Sequence, residues 1–279
     1  MLSYRHAFHA GNFADVLKHC VLTLVLEYMT RKEKPFTYID SHSGAGMYQL
    51  SSDYAQKTAE YKQGIAKIID ENSLPEPLIN YVELIKAINN HQTLNLYPGS
   101  PAIAKMLLRR QDSTHLFELH PSDFTLLSEY SQSWKKAFIK QDDGYQGLLG
   151  LLPPPSRRGV VLIDPPYELK DDYIKAVKTI IEGYQKFATG TYLLWYPVVK
   201  RQLVEQMISN FTQSKIKNLL QIEFCLQADT EEYGMTGTGL FVVNPPWQLA
   251  KQMTEVLPYL KEKLGTQTSF FNLQQLVDE

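Results

Sequence analysis

Two similar tetrapeptides end strand-like runs in this sequence, and each could carry chemistry. The stretch GVVLIDPPYELK places Asp164 after a run of aliphatic residues, and GLFVVNPPWQLA places Asn244 at the matching position. A carboxylate at Asp164 can accept one N–H of an exocyclic amine. The carbonyl of Pro165 can accept the other, because the double proline fixes φ at about −65° and so aims that carbonyl. Tyr167 offers a ring on which an extruded base can stack. The DPPY motif therefore indicates methyl transfer to an amine, with Asp164 as the catalytic residue.

Acidic residues follow three further strand-like runs. The run PFTYID leads into the turn DSHSGAG, STHLFEL leads through Glu118, and KAFIKQDD ends at Asp143 before Gly144. Ligands of open parallel sheets bind outside the carboxyl ends of the strands. Glu118 is placed to accept the hydroxyls of a ribose, in a dinucleotide or in S-adenosyl-methionine, and Asp143–Gly144 is placed to read an adenine edge. A single acid of this kind is best explained as a solvated residue at the end of a strand. Acids at the ends of consecutive strands instead predict a cofactor site.

The order of these runs predicts the elements that must position the acids. Strand-like and helix-like runs alternate, and nearly continuous apolar strands indicate a parallel sheet covered on both faces. The last two strands are joined by only about ten polar or small residues, which is too short for a crossover helix and predicts an antiparallel pair. We expect an α/β fold with a seven-stranded, mostly parallel sheet whose last strand is antiparallel. The predicted strands are 35–40, 113–119, 136–143, 159–164, 190–197, 218–227 and 237–244.

The predicted direction of the last strand decides between the twin motifs. A reversed strand would end at the opposite edge of the sheet, away from any ligand, so NPPW is expected to end the strand without taking part in catalysis. Trp247 would then matter for stability, by about 3–5 kcal/mol if its ring is buried.

The segment 47–97 interrupts the alternation after the first strand. It is expected to form two helices, YAQKTAEYKQGIAKIID and PLINYVELIKAI, and the postponed helix starts at YPGSPAI with Ser100 as the expected N-cap. An earlier helix is predicted to begin at Asn12, with Asp15 three residues on. The chain therefore divides into a methyltransferase-like domain (1–46 and 98–279) and an inserted helical subdomain (47–97).

Composition bears on metal binding and on the cellular location of the protein. Hydrophobic residues make up 44% of the chain, the formal net charge is −2, and two cysteines lie in apolar runs without metal-ligand spacing. Four of the seven histidines fall in the first fifty residues, but no ligand set accompanies them, so no metal is expected. No signal pattern or membrane-length apolar run is present, which favours a cytoplasmic protein.

Several stretches together resemble one known family. YRHAFHAGNFADVLKH, YPGSP, ELHPSD, SRRGVVLIDPPYE, LWYPVV and NPPW are similar to the bacterial RlmJ family, and the likeness runs nearly end to end. It fades in the insertion and in the tail TQTSFFNLQQLVDE. The resemblance implies a Rossmann-like methyltransferase, with a helical insertion, that moves a methyl group from S-adenosyl-methionine to N6 of an adenine in 23S ribosomal RNA. We expect such a protein to be a monomer.

The resemblance also implies residue roles. It assigns cofactor contacts to His19, His42, Ser100, Glu118, Asp143, Gly144 and Asp164. It assigns Tyr4, His6 and Lys18 to an N-terminal motif that borders cofactor and RNA. Without it, helix capping and a solvated lysine would be preferred for the N-terminal residues.

Other functions remain open at this level. A DNA adenine-N6 methyltransferase would share DPPY, although only about fifty inserted residues are available to recognise a DNA sequence. A glutamine methyltransferase would favour Asn before Pro-Pro. A nicotinamide dehydrogenase would share Glu118 but leaves DPPY unexplained, and an inert RNA-binding module lacks a recognised signature.

Overall fold

The computed structural model describes residues 5–229 and 234–279, and a mixed sheet with helices on both faces forms its centre. The strands are β1 (Thr37–Asp40), β2 (Met47–Gln49), β3 (Leu96–Pro98), β4 (Ser113–Phe117), β5 (Ala137–Lys140), β6 (Gly159–Ile163), β7 (Thr191–Val198), β8 (Leu219–Cys225), β9 (Gly237–Val243) and β10 (Phe270–Val277). The helices are α1 (Phe13–Thr30), α2 (Asp53–Thr58), α3 (Glu76–Ile88), α4 (Ser100–Leu107), α5 (Pro121–Ser131), α6 (Gly144–Gly150), α7 (Asp171–Lys186), α8 (Arg201–Thr212) and α9 (Leu249–Leu264).

The main sheet has the strand order β10-β8-β9-β7-β6-β1-β4-β5. β5, β4, β1, β6 and β7 are parallel neighbours. β9 is antiparallel to both β7 and β8, so β8 runs with the parallel group. The predicted fold class, including the reversed strand, is confirmed. The sheet differs by one added strand, β10, which pairs antiparallel with β8. Asn and Gln residues interrupt the apolar pattern of FFNLQQLV, and for this reason the sequence did not indicate a strand there.

Each face of the sheet buries its own apolar cluster. Val160 and Leu162 of β6 point into a cluster shared with α1, α3, α4 and α9, whereas Val161 and Ile163 point into one shared with α6, α7 and α8. This is the period-two alternation of a strand that is covered on both sides. It fixes the register of β6, and therefore the edge at which Asp164 emerges.

The segment 47–97 contains less helix than expected. Its first half forms α2 and two short 3₁₀ turns in place of one long helix, and its second half forms α3 as predicted. Ala59 has φ of 51°, and a Cβ at Gly64 would lie 2.1 Å from the carbonyl oxygen of Gly11. Close packing of this turn against the start of α1 therefore overrides the helical pattern. The apolar residues of the segment join the same cluster as α1, and its separation as a subdomain stays a prediction.

Two predicted helix starts can be compared with the structure. Asn12 caps α1 by accepting from the backbone N–H groups of Ala14 and Asp15, as expected. α4 begins one residue earlier than predicted, with Gly99 at the N-cap. Ser100 is thereby free to turn its hydroxyl toward the end of β1. Within the described residues no helix has both the length and the apolarity to cross a bilayer.

Candidate active site

The carboxyl ends of β1, β4, β5 and β6 meet at one cavity of about 210 Å³. Parallel neighbours end at the same edge, so acids that are far apart in sequence come together there. The cavity is lined by His6, Lys18, His19, His42, Ser100, Glu118, Asp143, Gly144, Asp164 and Pro165, among others. Ten of the residues singled out from the sequence therefore share one pocket. Tyr4 lies outside the described residues.

Asp164 is held by a buried ammonium group. The Lys18 Nζ atom donates to Asp164 Oδ2 at 2.6 Å and lies 2.8 Å from Asp15 Oδ1. The side chain of Lys18 is only 4% exposed, so the interpretation of Lys18 as a solvated lysine is wrong. Burial opposes the charge of Lys18, but the two carboxylates outweigh it and raise the pKa of Lys18 above its usual value. Lys18 is a permanent cation beside Asp164.

Asp15 connects this pair to the N-terminal segment. Its Oδ2 atom lies 2.8 Å from His6 Nε2 and accepts the backbone N–H of Gly11 at 2.9 Å. Burial alone would raise the pKa of Asp15, yet the positive charges of His6 and Lys18 lower it well below its usual value. His6 and Lys18 therefore act on the cavity through one buried carboxylate. Spacing along α1 gave no signal of the contact with Asp164, which is 146 residues away.

Glu118 carries an unusual proton affinity. Its two oxygens accept the backbone N–H groups of Gly44 and His120, each at 2.7 Å. Burial raises the pKa of Glu118 to about 7, against the lowering effect of those two hydrogen bonds. The carboxylate still has lone pairs facing the cavity, because each oxygen can accept more than one bond. Glu118 can thus receive hydroxyl donors and titrates near neutral pH.

Asp143 and Gly144 form the start of α6. Asp143 Oδ1 accepts from the N–H groups of Tyr145 and Gln146, and its Oδ2 receives Lys175 Nζ at 3.0 Å. Burial would raise the pKa of Asp143, but Lys175 and the two N–H groups lower it on balance. A Cβ at Gly144 would lie 1.8 Å from the Ser41 carbonyl oxygen. The turn after β1 can therefore contact the start of α6 only because residue 144 has no side chain.

Two histidines lining the cavity are neutral. Burial lowers the pKa of His42 to about 4 and that of His19 to about 3. His42 Nδ1 bonds the Ser41 hydroxyl at 2.7 Å, and its ring lies edge-on to Tyr145. His19 Nδ1 bonds the Tyr97 hydroxyl at 2.8 Å. Neither can supply positive charge at neutral pH. The part of the chain that the structure describes contains no group of three His, Cys, Asp or Glu residues placed to hold a metal ion.

Asp40 is an acid whose role sequence reasoning missed. It is fully buried at the end of β1 and accepts from the hydroxyls of Ser100 at 2.7 Å and Tyr38 at 2.8 Å. Burial raises the pKa of Asp40 to about 6. Asp40 lies at the carboxyl end of its strand, as Asp164 does. That position was the signal from which its place at the cavity could have been predicted. It orients Ser100 at the base of the cavity.

Tyr167 is placed differently from the other predicted residues. Its hydroxyl donates to the Trp195 carbonyl oxygen at 2.6 Å, and its ring centre lies 4.4 Å from that of Tyr173. The ring packs beside the cavity wall, and φ of 51° is uncommon for a tyrosine. A role for Tyr167 in stacking a base stays a prediction.

The NPPW motif lies at the other edge of the sheet. Asn244 Nδ2 donates to the carbonyl oxygens of Ala188 and Gly190, just before β7 begins. The predicted separation of the twin motifs is confirmed by the antiparallel pairing of β9 with β7. Trp247 is expected to contribute strongly to stability only if its ring is buried. This residue is 76% exposed, so that expectation does not apply.

Comparisons with known proteins agree on one kind of molecule. Residues 33–277 match the family model described as "Ribosomal RNA large subunit methyltransferase D, RlmJ". Ribosomal RNA large subunit methyltransferase J of Escherichia coli (strain K12) is 52% identical over 264 residues, which are 95% of this chain and 94% of that protein. The protein of the same name from Haemophilus influenzae is 52% identical over 265 residues, with the same two shares. A crystal structure from Legionella pneumophila has a TM-score of 0.89 at 40% identity and covers 96% of this chain and 98% of that one.

Proposed function

Since this chain belongs to the RlmJ family of ribosomal RNA large subunit methyltransferases, we propose that its cavity is where an adenine of 23S ribosomal RNA is methylated on N6, with Asp164 at the reacting amine. The protein is a methyltransferase, and S-adenosyl-methionine is its methyl donor. The observation that carries the proposal is the position of Asp164 and Pro165 in the wall of the cavity that also receives Glu118, Asp143 and Gly144.

The residues of the cavity fit this donor in chemical terms. Glu118 can accept two ribose hydroxyls, and Gly144 at the start of α6 lines the same cavity. Ser100, His42 and His19 add neutral polar groups that the sulfonium charge would not repel. When bound, S-adenosyl-methionine supplies an electrophilic methyl group.

Asp164 and Pro165 orient the amine. Lys18 occupies Asp164 Oδ2, and in the described part of the chain no hydrogen bond is made to Oδ1. Oδ1 can therefore accept one N–H of the base while the Pro165 carbonyl accepts the other, which localises the lone pair of the nitrogen. Such fixed acceptors lower the barrier by orientation and electrostatics.

Lys18 and Asp15 keep Asp164 in place. The ammonium holds the carboxylate by one oxygen and so selects its rotamer, and Asp15 in turn fixes Lys18. His6 bonds Asp15 and so connects the N-terminal segment to this pair. We infer that these groups form the side of the site where the RNA enters, that Tyr4 contacts the RNA, and that the base stacks on the ring of Tyr167.

Methyl transfer from labelled donor tests the proposal directly. Protein is incubated with 23S rRNA, 16S rRNA and duplex DNA, and the product nucleosides are separated. N6-methyladenosine in 23S rRNA is the expected product. A different modified nucleoside, or DNA as the best acceptor, would contradict the assignment. We further propose that the protein works as a cytoplasmic monomer, which sedimentation of the active fraction can check.

A further inference from the structure

The amino-terminal edge of the sheet, opposite the cavity, concentrates positive charge. Four loops lead into β1, β4, β5 and β6, and they read RKEKPF (31–36), LRRQD (108–112), QSWKK (132–136) and PPPSRR (153–158). We call them together the basic edge. They hold nine of the 28 lysine and arginine residues but only two acidic ones, although the whole chain has a formal net charge of −2. Such an asymmetry on a slightly acidic protein points to an anionic partner.

Hydrogen bonds join the four loops into one surface. Arg109 donates to the Lys34 carbonyl oxygen at 3.3 Å, and Arg158 donates to the same carbonyl. Lys136 Nζ donates to the Gln111 carbonyl oxygen at 3.1 Å. The charges therefore lie side by side on a framework that is fixed by the strands behind it.

Most of this charge is not neutralised within the protein. In the described ranges, Arg109 with the buried Asp112 is the only ion pair within 4.0 Å that these loops make. Burial and the neighbouring Arg109 both lower the pKa of Arg158, which is the effect of one positive charge on another. Glu33 is the remaining acid of the basic edge, and it is exposed.

An exposed aromatic ring lies beside the basic edge. The Arg31 guanidinium donates to the Gln248 side chain, which places the NPPW turn next to the first of the four loops. Trp247 in that turn is 76% exposed, the highest value among the large apolar side chains of the described residues. Cationic side chains around an exposed ring are the combination that binds unpaired nucleotides, through phosphates and base stacking.

We propose that the basic edge and Trp247 bind a second segment of the RNA substrate, separate from the segment whose base enters the cavity. This rests on the proposed function, and it extends the RNA contact to the far side of the sheet. A five-residue strand alone separates the two edges by roughly 17 Å, so one nucleotide cannot occupy both. The partner is therefore an RNA with more than one structural segment.

Neutralising exposed charges of the basic edge tests the proposal. The test variant is Lys32→Ala, Lys34→Ala, Arg110→Ala and Arg157→Ala, whose side chains are exposed and make no hydrogen bond or ion pair among the described residues. The control variant, Lys67→Ala, Lys178→Ala, Lys251→Ala and Lys261→Ala, changes the net charge equally at other exposed positions. Binding is measured at several salt concentrations, with a multi-helix 23S rRNA fragment and with a short fragment that keeps the methylated adenine.

The test variant should bind the long fragment at least about tenfold more weakly than the control variant, with a salt slope smaller by about two to four. It should bind and methylate the short fragment as the wild type does. Equal affinities of test and control variants for the long fragment, or equal losses on both RNAs, would overturn the proposal. Loss of binding to phosphatidylglycerol vesicles with RNA binding intact would also overturn it, in favour of a membrane surface.

Trp247 provides an independent arm of the experiment. Trp247→Ala should weaken binding of the long fragment by about tenfold, and Trp247→Phe should retain most of it, because stacking needs a ring and not an indole. Unchanged affinity in Trp247→Ala would remove the ring from the proposal. Failure of the proposed function would show elsewhere, as a wild-type protein that binds the RNA but forms no N6-methyladenosine.

Discussion

Asp164 is engaged on one oxygen and open on the other, which makes its role testable by two substitutions. Asp164→Ala should reduce kcat by about 10²–10³-fold, because the transition state loses a fixed acceptor. Asp164→Asn should retain more activity, since its amide oxygen can still accept the N–H. Labelled methyl transfer under single-turnover conditions gives the rates, with thermal unfolding and donor affinity as controls. Turnover near the wild-type level in Asp164→Ala would place the acceptor elsewhere.

Glu118 predicts a pH dependence of donor binding. In the proposed site the ribose hydroxyls donate to the charged carboxylate, and burial has raised the pKa of Glu118 to about 7, so protonation is expected to compete with binding below that pH. Affinity for S-adenosyl-methionine should therefore rise with pH and be about tenfold weaker at pH 6 than at pH 8. Calorimetry across this range measures the effect.

Glu118→Gln is the matched control for that pH series. It cannot titrate, so its affinity should be lower at pH 8 and flat between about pH 6.5 and 8. Asp40, with a pKa of about 6, titrates mainly below this window. A wild-type affinity that is independent of pH, or a slope that persists in Glu118→Gln, would assign the ribose to another group.

At the scale of elements, Gly144 and Gly150, two of the three glycines of α6, form a matched pair. A Cβ at Gly144 would collide with the Ser41 carbonyl oxygen at 1.8 Å, whereas a Cβ at Gly150 would meet nothing within 4 Å. Gly144→Ala should separate α6 from the turn after β1, lower the melting temperature and weaken donor binding. Gly150→Ala should be neutral or stabilising by up to about 1 kcal/mol, by helix propensity. Similar melting temperatures for the two variants would show that the contact is not needed.

The reversed strand β9 makes a prediction about the twin motifs. Asn244→Ala should cost about 1–3 kcal/mol, because it loses two hydrogen bonds to the residues before β7. Its rate of methyl transfer per folded molecule should not change. Trp247→Ala should cost less than about 0.5 kcal/mol, as an exposed side chain does. Chemical unfolding and turnover are compared at a temperature where each variant is folded. A slow but folded Asn244→Ala would contradict the topology.

The success of sequence reasoning also differs among elements. The directions of the strands followed from apolar runs and loop lengths, and so did the edge that gathers Glu118, Asp143 and Asp164. The first half of the insertion was over-assigned as helix, because the approach of Gly64 to Gly11 is a tertiary contact. The burial of Lys18 could not be predicted for the same reason: its partner Asp164 is distant in sequence. Local patterns predict elements, whereas contacts between elements set the state of individual side chains.

At the scale of the whole molecule, β10 closes one side of the sheet. It covers the edge of β8 along Phe270–Val277, four strands away from the nearest strand whose end lines the cavity. Removing residues 269–279 should lower the melting temperature and promote aggregation through the uncovered edge. Soluble monomer isolated by gel filtration should keep its kcat. An unchanged melting temperature would mean that β10 adds little to the fold.

The pairing of Lys18 with Asp164 also has a consequence for the order in which the protein is made. The two residues are 146 positions apart, so at 5–20 residues per second the lysine leaves the ribosome about 7–30 s before its partner. During that interval the residues of α1 have left the ribosome without those of β6, and the nascent chain lacks the proposed amine acceptor. The newly made protein is therefore expected to be unable to transfer a methyl group until more than half of its length has been translated.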